Sequence, residues 1–255
     1  MKEIPKKIEK KTEQIEGRNS VRELLKSGND VNKLYIQKGE KHGSIIEIVK
    51  LAKEKKIVIV EEERYKLDQM SETKNHQGVI ASVPPYNYYT VDDIIKDAKE
   101  KNEQPFIIVL DGIEDPHNLG SIIRTAVCAG VHGVIIPKRR SVLVNSTVNK
   151  ASAGAVQYMK IARVNNLNDT IKYLKEQDVW IYGTDVKAEK FYYEEKYDTG
   201  VALIIGSEGT GMSRLVKENC DILVKIPMTE KINSLNASVS AGIIMYEIAN
   251  QRRKN

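Results

Sequence analysis

Six short apolar runs in the second half of this 255-residue chain limit most strongly what it can fold into. Residues 106–110, 133–136, 158–163, 179–183, 202–205 and 223–226 are strand-length and mostly rich in β-branched side chains, with helix-period segments between several of them. Apolar strands that alternate with helices belong to a parallel sheet covered on both faces, an α/β architecture. A last long helix is expected from about Leu235 to Arg252. Open sheets of this kind gather ligands where their strands end. Three strand exits carry small and polar groups: Asn118-Leu119-Gly120-Ser121-Ile122-Ile123-Arg124, Gly206-Ser207-Glu208-Gly209-Thr210-Gly211-Met212 and Ser234-Leu235-Asn236-Ala237-Ser238.

In the first stretch Asn118 stands where a helix N-cap is expected, residues 119–129 supply the helix and Gly130 closes it. Ile122, Ile123, Ala126 and Val127 make its apolar face. Ser121, Arg124, Thr125 and Cys128 follow the i, i+3, i+4, i+7 stripe on another face. That start puts Arg124 about one and a half turns into the helix, near the strand ends. Asp111, Asp115 and His117 precede it, but Pro116 makes the segment a turn and the spacing fits no rigid metal-ligand pattern. Loop and capping roles are expected for them.

The glycines of the second stretch permit left-handed backbone and close approach to a bound group. No Gly-Lys-Ser/Thr follows, and the glycine order is not the dinucleotide fingerprint. Glu208 would repel phosphates. A glycine loop bearing a carboxylate suits a sulfonium cation or polar donors instead. At the third exit a strand over 221–228, ending at Pro227, and a loop over 229–233 lead to Ser234 and Asn236. Their small side chains leave the donors of the first helical turn accessible; simple helix capping is the alternative.

No apolar run approaches the roughly 20 residues that span a bilayer, and the lysine-rich start lacks the apolar centre of a secretory signal. A cytoplasmic protein is the expectation. Cys128 and Cys220 lie far apart beside apolar helical residues, which reads as two buried free thiols. The formal net charge of +5 leans toward a polyanionic partner. The basic ends, Lys6-Lys7, Lys10-Lys11 and Arg252-Arg253-Lys254, read either as solvated termini or as phosphate contacts.

The chain divides into a basic flexible tail over 1–12, a small α/β domain over 13–84, a linker with a first helix over 85–104, and the main domain over 105–255. In the small domain helices are expected at 18–25 and 45–52, with strands at 33–36, 57–60 and 78–83. Pro84-Pro85 cannot continue a helix or donate to a ladder, and Thr90 then offers an N-cap for a helix reaching about Lys101.

In order and spacing the three stretches resemble the three motifs of the SpoU/TrmH ribose methyltransferases of the SPOUT superfamily. Glu16-Gly17-Arg18-Asn19-Ser20-Val21 and His76-Gln77-Gly78-Val79 resemble the RNA-binding domain, related in fold to ribosomal protein L30e, that precedes the catalytic unit in one branch. The likeness covers nearly the whole chain after the first dozen residues. It implies an α/β-knot catalytic domain with a deep trefoil knot, acting as a homodimer with the site at the interface; topology rules alone would not give a knot. It implies S-adenosylmethionine as methyl donor, cradled around Gly206, Ile226 and Leu235, with Ser234, Met228 and Gly211 in the same pocket. It further implies that Arg124 acts at a ribose 2′-hydroxyl, that Asn118 orients the site, and that Glu208 and Asn236 complete the catalytic set.

The same resemblance implies RNA contacts at Arg18, Asn19, His76 and Gln77. Capping of the first helix is the alternative for Asn19, and a packed position the alternative for His76. Tyr86, Tyr88 and Tyr89 read as linker packing before base stacking. The layout is most similar to the RlmB-like branch, which methylates a guanosine ribose in 23S ribosomal RNA. A tRNA ribose methyltransferase and a non-catalytic RNA-binding relative are the alternatives. The intact Asn118, Arg124, Glu208 and Asn236 oppose the second. No metal is expected, because methyl transfer from a sulfonium to an oxygen is an in-line displacement that needs none.

Overall fold

The computed structural model describes residues 12–39, 41–229 and 234–253, in two compact units that divide between Asn87 and Tyr88. The basic tail, Lys254 and most of the 229–233 loop lie outside the described residues.

In the first unit β1 (Glu13–Glu16), α1 (Arg18–Ser27), β2 (Lys33–Gln37), α2 (Ser44–Glu54), β3 (Ile59–Glu62), α3 (Arg64–Met70) and β4 (Val79–Val83) follow in order. The strands form one sheet, β1-β4-β2-β3, antiparallel except for β2 beside β3. Leu34, Ile36, Val79, Ala81 and Val83 share a face of that sheet and meet Val21, Leu24 and Leu25 of α1 and Ile45, Ile48 and Ala52 of α2. A period of two thus packs on a period of 3.6. β1 and α3 carry no periodic apolar signal and escape the sequence reading. Ile15 is the buried apolar residue of one and Leu67 of the other, so tertiary pairing fixes both.

The second unit runs α4 (Val91–Glu100), β5 (Phe106–Asp111), α5 (Pro116–Ala129), β6 (Gly133–Pro137), α6 (Ser146–Ala151), β7 (Lys160–Val164), α7 (Leu167–Glu176), β8 (Val179–Thr184), β9 (Lys190–Phe191), β10 (Gly200–Gly206), α8 (Arg214–Glu218), β11 (Ile222–Lys225) and α9 (Ala237–Arg253). Its seven strands lie in the order β7-β6-β5-β10-β8-β11-β9, every pair parallel. On one face Ile94 and Ile95 of α4, Leu167, Ile171 and Leu174 of α7 and Val216 of α8 cover Ile107, Val109, Ile135, Ile181, Ala202 and Ile204. α5 packs on α6 and α9, and α9 on β10, burying Leu119, Ile122, Ile123, Val148, Ile244 and Ile248. A Cβ added to Gly120 would stand 2.5 Å from that of Ala151, so α5 and α6 touch through this glycine. Thr90 caps α4 as its sequence predicts, and Asp93 reaches back to complete a capping box.

Several expectations are corrected. α5 starts at Pro116, capped by Asp115, whose carboxylate accepts from the N–H groups of His117 (3.2 Å) and Asn118 (3.3 Å). Proline at the first helical position has no N–H to leave unpaired. Asn118 is therefore inside the first turn rather than at the cap. The expected 221–228 strand shortens to Ile222–Lys225, before Pro227, and Tyr158 ends a 3₁₀ turn instead of opening β7. Cys128 is exposed on the polar stripe of α5. Cys220 is half-buried, and burial pushes its thiol up to about 12. Arg252 is neither a frayed terminus nor a free phosphate ligand. Its guanidinium donates to the carbonyls of Gln104 (2.8 Å), Pro105 (3.1 Å), Thr199 (2.6 Å) and Tyr197 (3.2 Å) and lies 5.1 Å from the Phe106 ring centre. Burial brings its pKa down to about 10.

Candidate active site

Strand order in the second unit reverses between β5 and β10, and the crevice beyond such a switch point is where open parallel sheets bind ligands. The loops leaving these two strands are tied together: the Ser213 N–H donates to Asp111 Oδ2 at 2.6 Å. The glycine loop doubles back on itself, Ser207 and Gly211 exchanging backbone hydrogen bonds of 3.1 and 2.9 Å. Gly211 holds a φ of 67° there, and a Cβ on Gly206 would meet the Gly211 carbonyl carbon at 2.2 Å. Both positions need glycine.

This turn delivers Glu208 to the N-terminus of α9. Its Oε1 accepts from Asn118 Nδ2 (3.0 Å), from the Ala237 N–H (3.2 Å) and from Asn236 Nδ2. Asn236 Nδ2 also donates to Asn118 Oδ1 at 2.9 Å, closing a triangle of three side chains from three strand exits. Asn236 caps α9 as well, its Oδ1 accepting from the N–H groups of Ser238 (3.0 Å) and Val239 (3.2 Å). Capping and site-building are one arrangement here. A carboxylate at a helix N-terminus gains from the helix dipole besides its three donors.

Behind Glu208 lies a cavity of about 560 Å³. Gly206, Gly211, Ile226, Met228, Ser234 and Leu235, the six cofactor positions named from sequence, all line it. Sequence reading passed over Asp185, Lys187, Lys217 and Lys225 on the same wall. Thr184 ends β8 and Asp185 follows it, so the rule that located the other stretches would have found them. Asp185 pairs with Lys217 and accepts from the Lys187 N–H at 2.7 Å. Burial raises its pKa, but those two bonds outweigh it and leave the carboxyl below the ordinary 3.8.

Arg124 is not brought into the cavity of its own chain. Because α5 begins earlier than expected, Arg124 lies more than two turns in, exposed on the same stripe as Cys128, with no hydrogen-bonding or ion-pair partner among the described residues.

In the first unit the four predicted RNA contacts do converge. Arg18, Asn19, His76 and Gln77 line one cavity of about 540 Å³, with Gln37, Arg64 and Lys74. The Arg18 N–H donates to Gln77 Oε1 (2.9 Å) and its Nε to the Gln77 carbonyl (3.0 Å). Gly17, at a φ of 90°, occupies the N-cap position of α1, so Asn19 is not the cap. His76 is packed: its Nδ1 accepts from the Gly78 N–H at 3.0 Å, which leaves Nε2 to donate to Asp68 at 2.9 Å. Beneath the loop, buried Glu16 accepts from the Ser71 hydroxyl (2.7 Å), the Glu72 N–H (2.6 Å) and the Thr73 hydroxyl (2.5 Å). Burial raises that carboxyl, but the hydrogen bonds outweigh it and hold the pKa below 4.5.

Residues 105–246 match the family model described as SpoU rRNA Methylase family, and residues 14–89 the one described as RNA 2′-O ribose methyltransferase substrate binding. A Bacillus subtilis (strain 168) protein named "Putative TrmH family tRNA/rRNA methyltransferase YacO" is 50% identical over 236 residues, 92% of this chain and 94% of that one. The chain belongs to the SpoU/TrmH family of RNA methyltransferases. A Staphylococcus aureus (strain MSSA476) relative of the same TrmH-family name is 48% identical over 238 residues, covering 93% and 96%. Among solved structures, the SpoU methyltransferase AviRb from Streptomyces viridochromogenes, crystallised with AdoMet, shares the fold. Its TM-score is 0.80 at 22% identity, over 96% of this chain and 92% of that one. The SpoU match spans all of the Asn118–Glu208–Asn236 triangle, and the substrate-binding match spans the whole first-unit cavity lining.

Proposed function

We propose that this SpoU-family enzyme transfers a methyl group from S-adenosylmethionine to the ribose 2′-hydroxyl of a guanosine in 23S ribosomal RNA, as a cytoplasmic homodimer with a knotted catalytic domain. The observation that carries the reading is the amide–carboxylate triangle at the mouth of a cavity on the sheet's switch point. The cavity fits the donor. Ile205, Met212, Ile226 and Leu235 offer an apolar bed for an adenine ring, and carboxylates and lysines share the rim, which suits a zwitterion carrying an extra positive charge. Its volume falls within the usual range for small-molecule sites. When bound, the donor supplies an electrophilic methyl group on a sulfonium.

The chain's own residues then have distinct tasks. Backbone around Gly206, Ile226 and Leu235 fixes the donor, and Asn118, oriented by Glu208 and Asn236, presents its amide to the incoming nucleotide. Holding the two reactants in line contributes roughly 7–11 kcal/mol to the barrier reduction. Arg124 stabilises the oxygen as it becomes an alkoxide, with the hydroxyl proton passing to a substrate phosphate or a water; a guanidinium stays protonated, so it is a charge stabiliser and not the base.

A homodimer supplies what one chain lacks. Arg124 stands on an outer surface, and α9, packed on α5, leaves Val239 and Tyr246 about half exposed on a helix that buries its other side. Burying that surface against a second copy would bring Arg124 of one copy to the cavity of the other. The relatives' names span tRNA and rRNA, so the deciding experiment maps 2′-O-methyl marks. Purified protein, S-adenosylmethionine and unmodified total RNA should yield one new mark in the 23S species. A mark only in tRNA moves the substrate, and no mark in any RNA ends the proposal.

A further inference from the structure

At the exit edge of the sheet, the turn after β6 holds three consecutive cations that the methyl-transfer geometry does not use. Lys138, Arg139 and Arg140 are all exposed, and none of their side chains has an ion-pair partner among the described residues. The turn is nevertheless tightly built. The Lys138 N–H donates to the Val164 carbonyl at 2.8 Å, and the Ser141 hydroxyl bonds back to the Pro137 carbonyl. Arg163 Nη2 donates to the Lys138 carbonyl at 3.2 Å while its guanidinium lies 5.8 Å from the Tyr88 ring centre. Tyr88 is held in turn by the Val144 N–H, 3.0 Å from its hydroxyl. Two features run against local preference: Arg140 adopts a φ of 56°, and Arg163 Nε is buried without a hydrogen-bond partner. Arginine gains nothing local from a left-handed position that glycine or asparagine would fill with less strain. A rigid turn that keeps an arginine there displays charge in a fixed place.

Its place adjoins the site. The parallel register of β6 on β5 runs from Ile107 opposite Gly133 to Val109 opposite Ile135, and both strands then run on to the same exit edge, β5 ending at Asp111 and β6 at Pro137. The Val142 N–H also donates to the Ile113 carbonyl at 3.2 Å, tying the far end of the turn to the loop that leads into α5, whose first turn carries Asn118.

We infer that the turn 138–140 is a phosphate-binding clamp for the substrate RNA, with Arg139 and Arg140 as direct ligands and Arg163 as the residue that positions them. The inference rests on the RNA-methylation reading above and adds a contact within the catalytic unit itself. Guanidinium groups match phosphate oxygens in a fork geometry. Cations on a preformed turn lose less freedom on binding than cations on a mobile loop.

The test uses the full chain with Arg139→Gln and Arg140→Asn together, the asparagine retaining the left-handed backbone. The unfolding midpoint should hold or rise, and calorimetric affinity for S-adenosylmethionine should not change. Affinity for a short single-stranded oligouridylate should drop, and its log K against log salt slope should shrink by about 0.7 per lost contact, about 1.4 for both. The KM for unmodified ribosomal RNA should rise at constant kcat. A double Arg→Lys variant should retain most of the slope. If slope and KM match wild type in the Gln/Asn variant, the clamp is wrong while wild-type methylation keeps the enzymatic reading intact. A wild-type protein that binds donor and RNA but transfers no methyl group overturns that reading alone.

Discussion

The two cavities are nearly equal in volume, about 540 and 560 Å³, and are built in opposite ways. The first unit uses its charges on itself. Glu16 is consumed by the loop 71–73, and Asp68 by His76, which fixes a wall of amides and cations facing outward. The second unit lines its cavity with apolar side chains and glycine backbone beside Asp185 and three lysines, sets a neutral amide pair around one carboxylate, and leaves Arg124 outside. On the RNA-binding reading, the first unit's wall is built within one chain. Aligning three atoms for a displacement, on the present proposal, waits for a second chain.

The largest effect should come from Arg124→Ala, with kcat down by about 10²–10³ and donor affinity unchanged. Mixing Arg124→Ala with Glu208→Gln chains should restore part of the activity, since a mixed dimer holds one intact site. Failure to recover on mixing breaks the contrast between a self-sufficient unit and a shared one. Next in size, Glu16→Gln removes a charge from several buried donors and should cost about 1–3 kcal/mol of first-unit stability, read by thermal unfolding. Donor binding in the second unit should survive it. Glu208→Gln keeps an acceptor oxygen for Asn118, Asn236 and Ala237 but loses the charge, so about a tenfold loss in kcat/KM is expected. Smaller still, Arg18→Ala should raise the KM for RNA about threefold at constant kcat, because Arg18 is one cation among several around that cavity.

Acid should distinguish the units by hydrogen exchange. Burial holds His132 below the ordinary 6.5, against the pull of Glu103. Its unfolded form takes up a proton that the folded form refuses, so its contribution to the second unit is full above pH 6.5 and lost as pH falls through the folded value. Glu16, held below 4.5, contributes fully above pH 4.5 and fails only under stronger acid. The second unit should therefore loosen first.

Elements with their own periodicity were legible from sequence: the buried strands β5, β6, β8 and β10, the helix α4 with its Thr90 cap, and the apolar face of α5 all follow from spacing. β1 was not, because Glu-Gln-Ile-Glu has one apolar residue and forms a strand only against β4. Legible at strand exits, Glu208 and the six pocket residues line the cavity, Asn118 and Asn236 reach it only through their bonds to Glu208, and the misplaced start of α5 left the Asn118 contact in place. It did mislead about Arg124, whose register on α5 depends on whether Asp115 or Asn118 caps the helix. Nor could spacing reveal that Arg252, in a run of terminal cations, turns inward onto four carbonyls.

That inward turn has a mechanical consequence. α9 is fastened at its far end to the residues that enter β5 and β10, and at its near end to the loops that leave them. It acts as a strut roughly 25 Å long, at 1.5 Å per residue, bracing the two central strands top to bottom. Trimming the last helical turn would slacken the opposite rim, so a small C-terminal truncation should damage methyl transfer without touching any group near the donor.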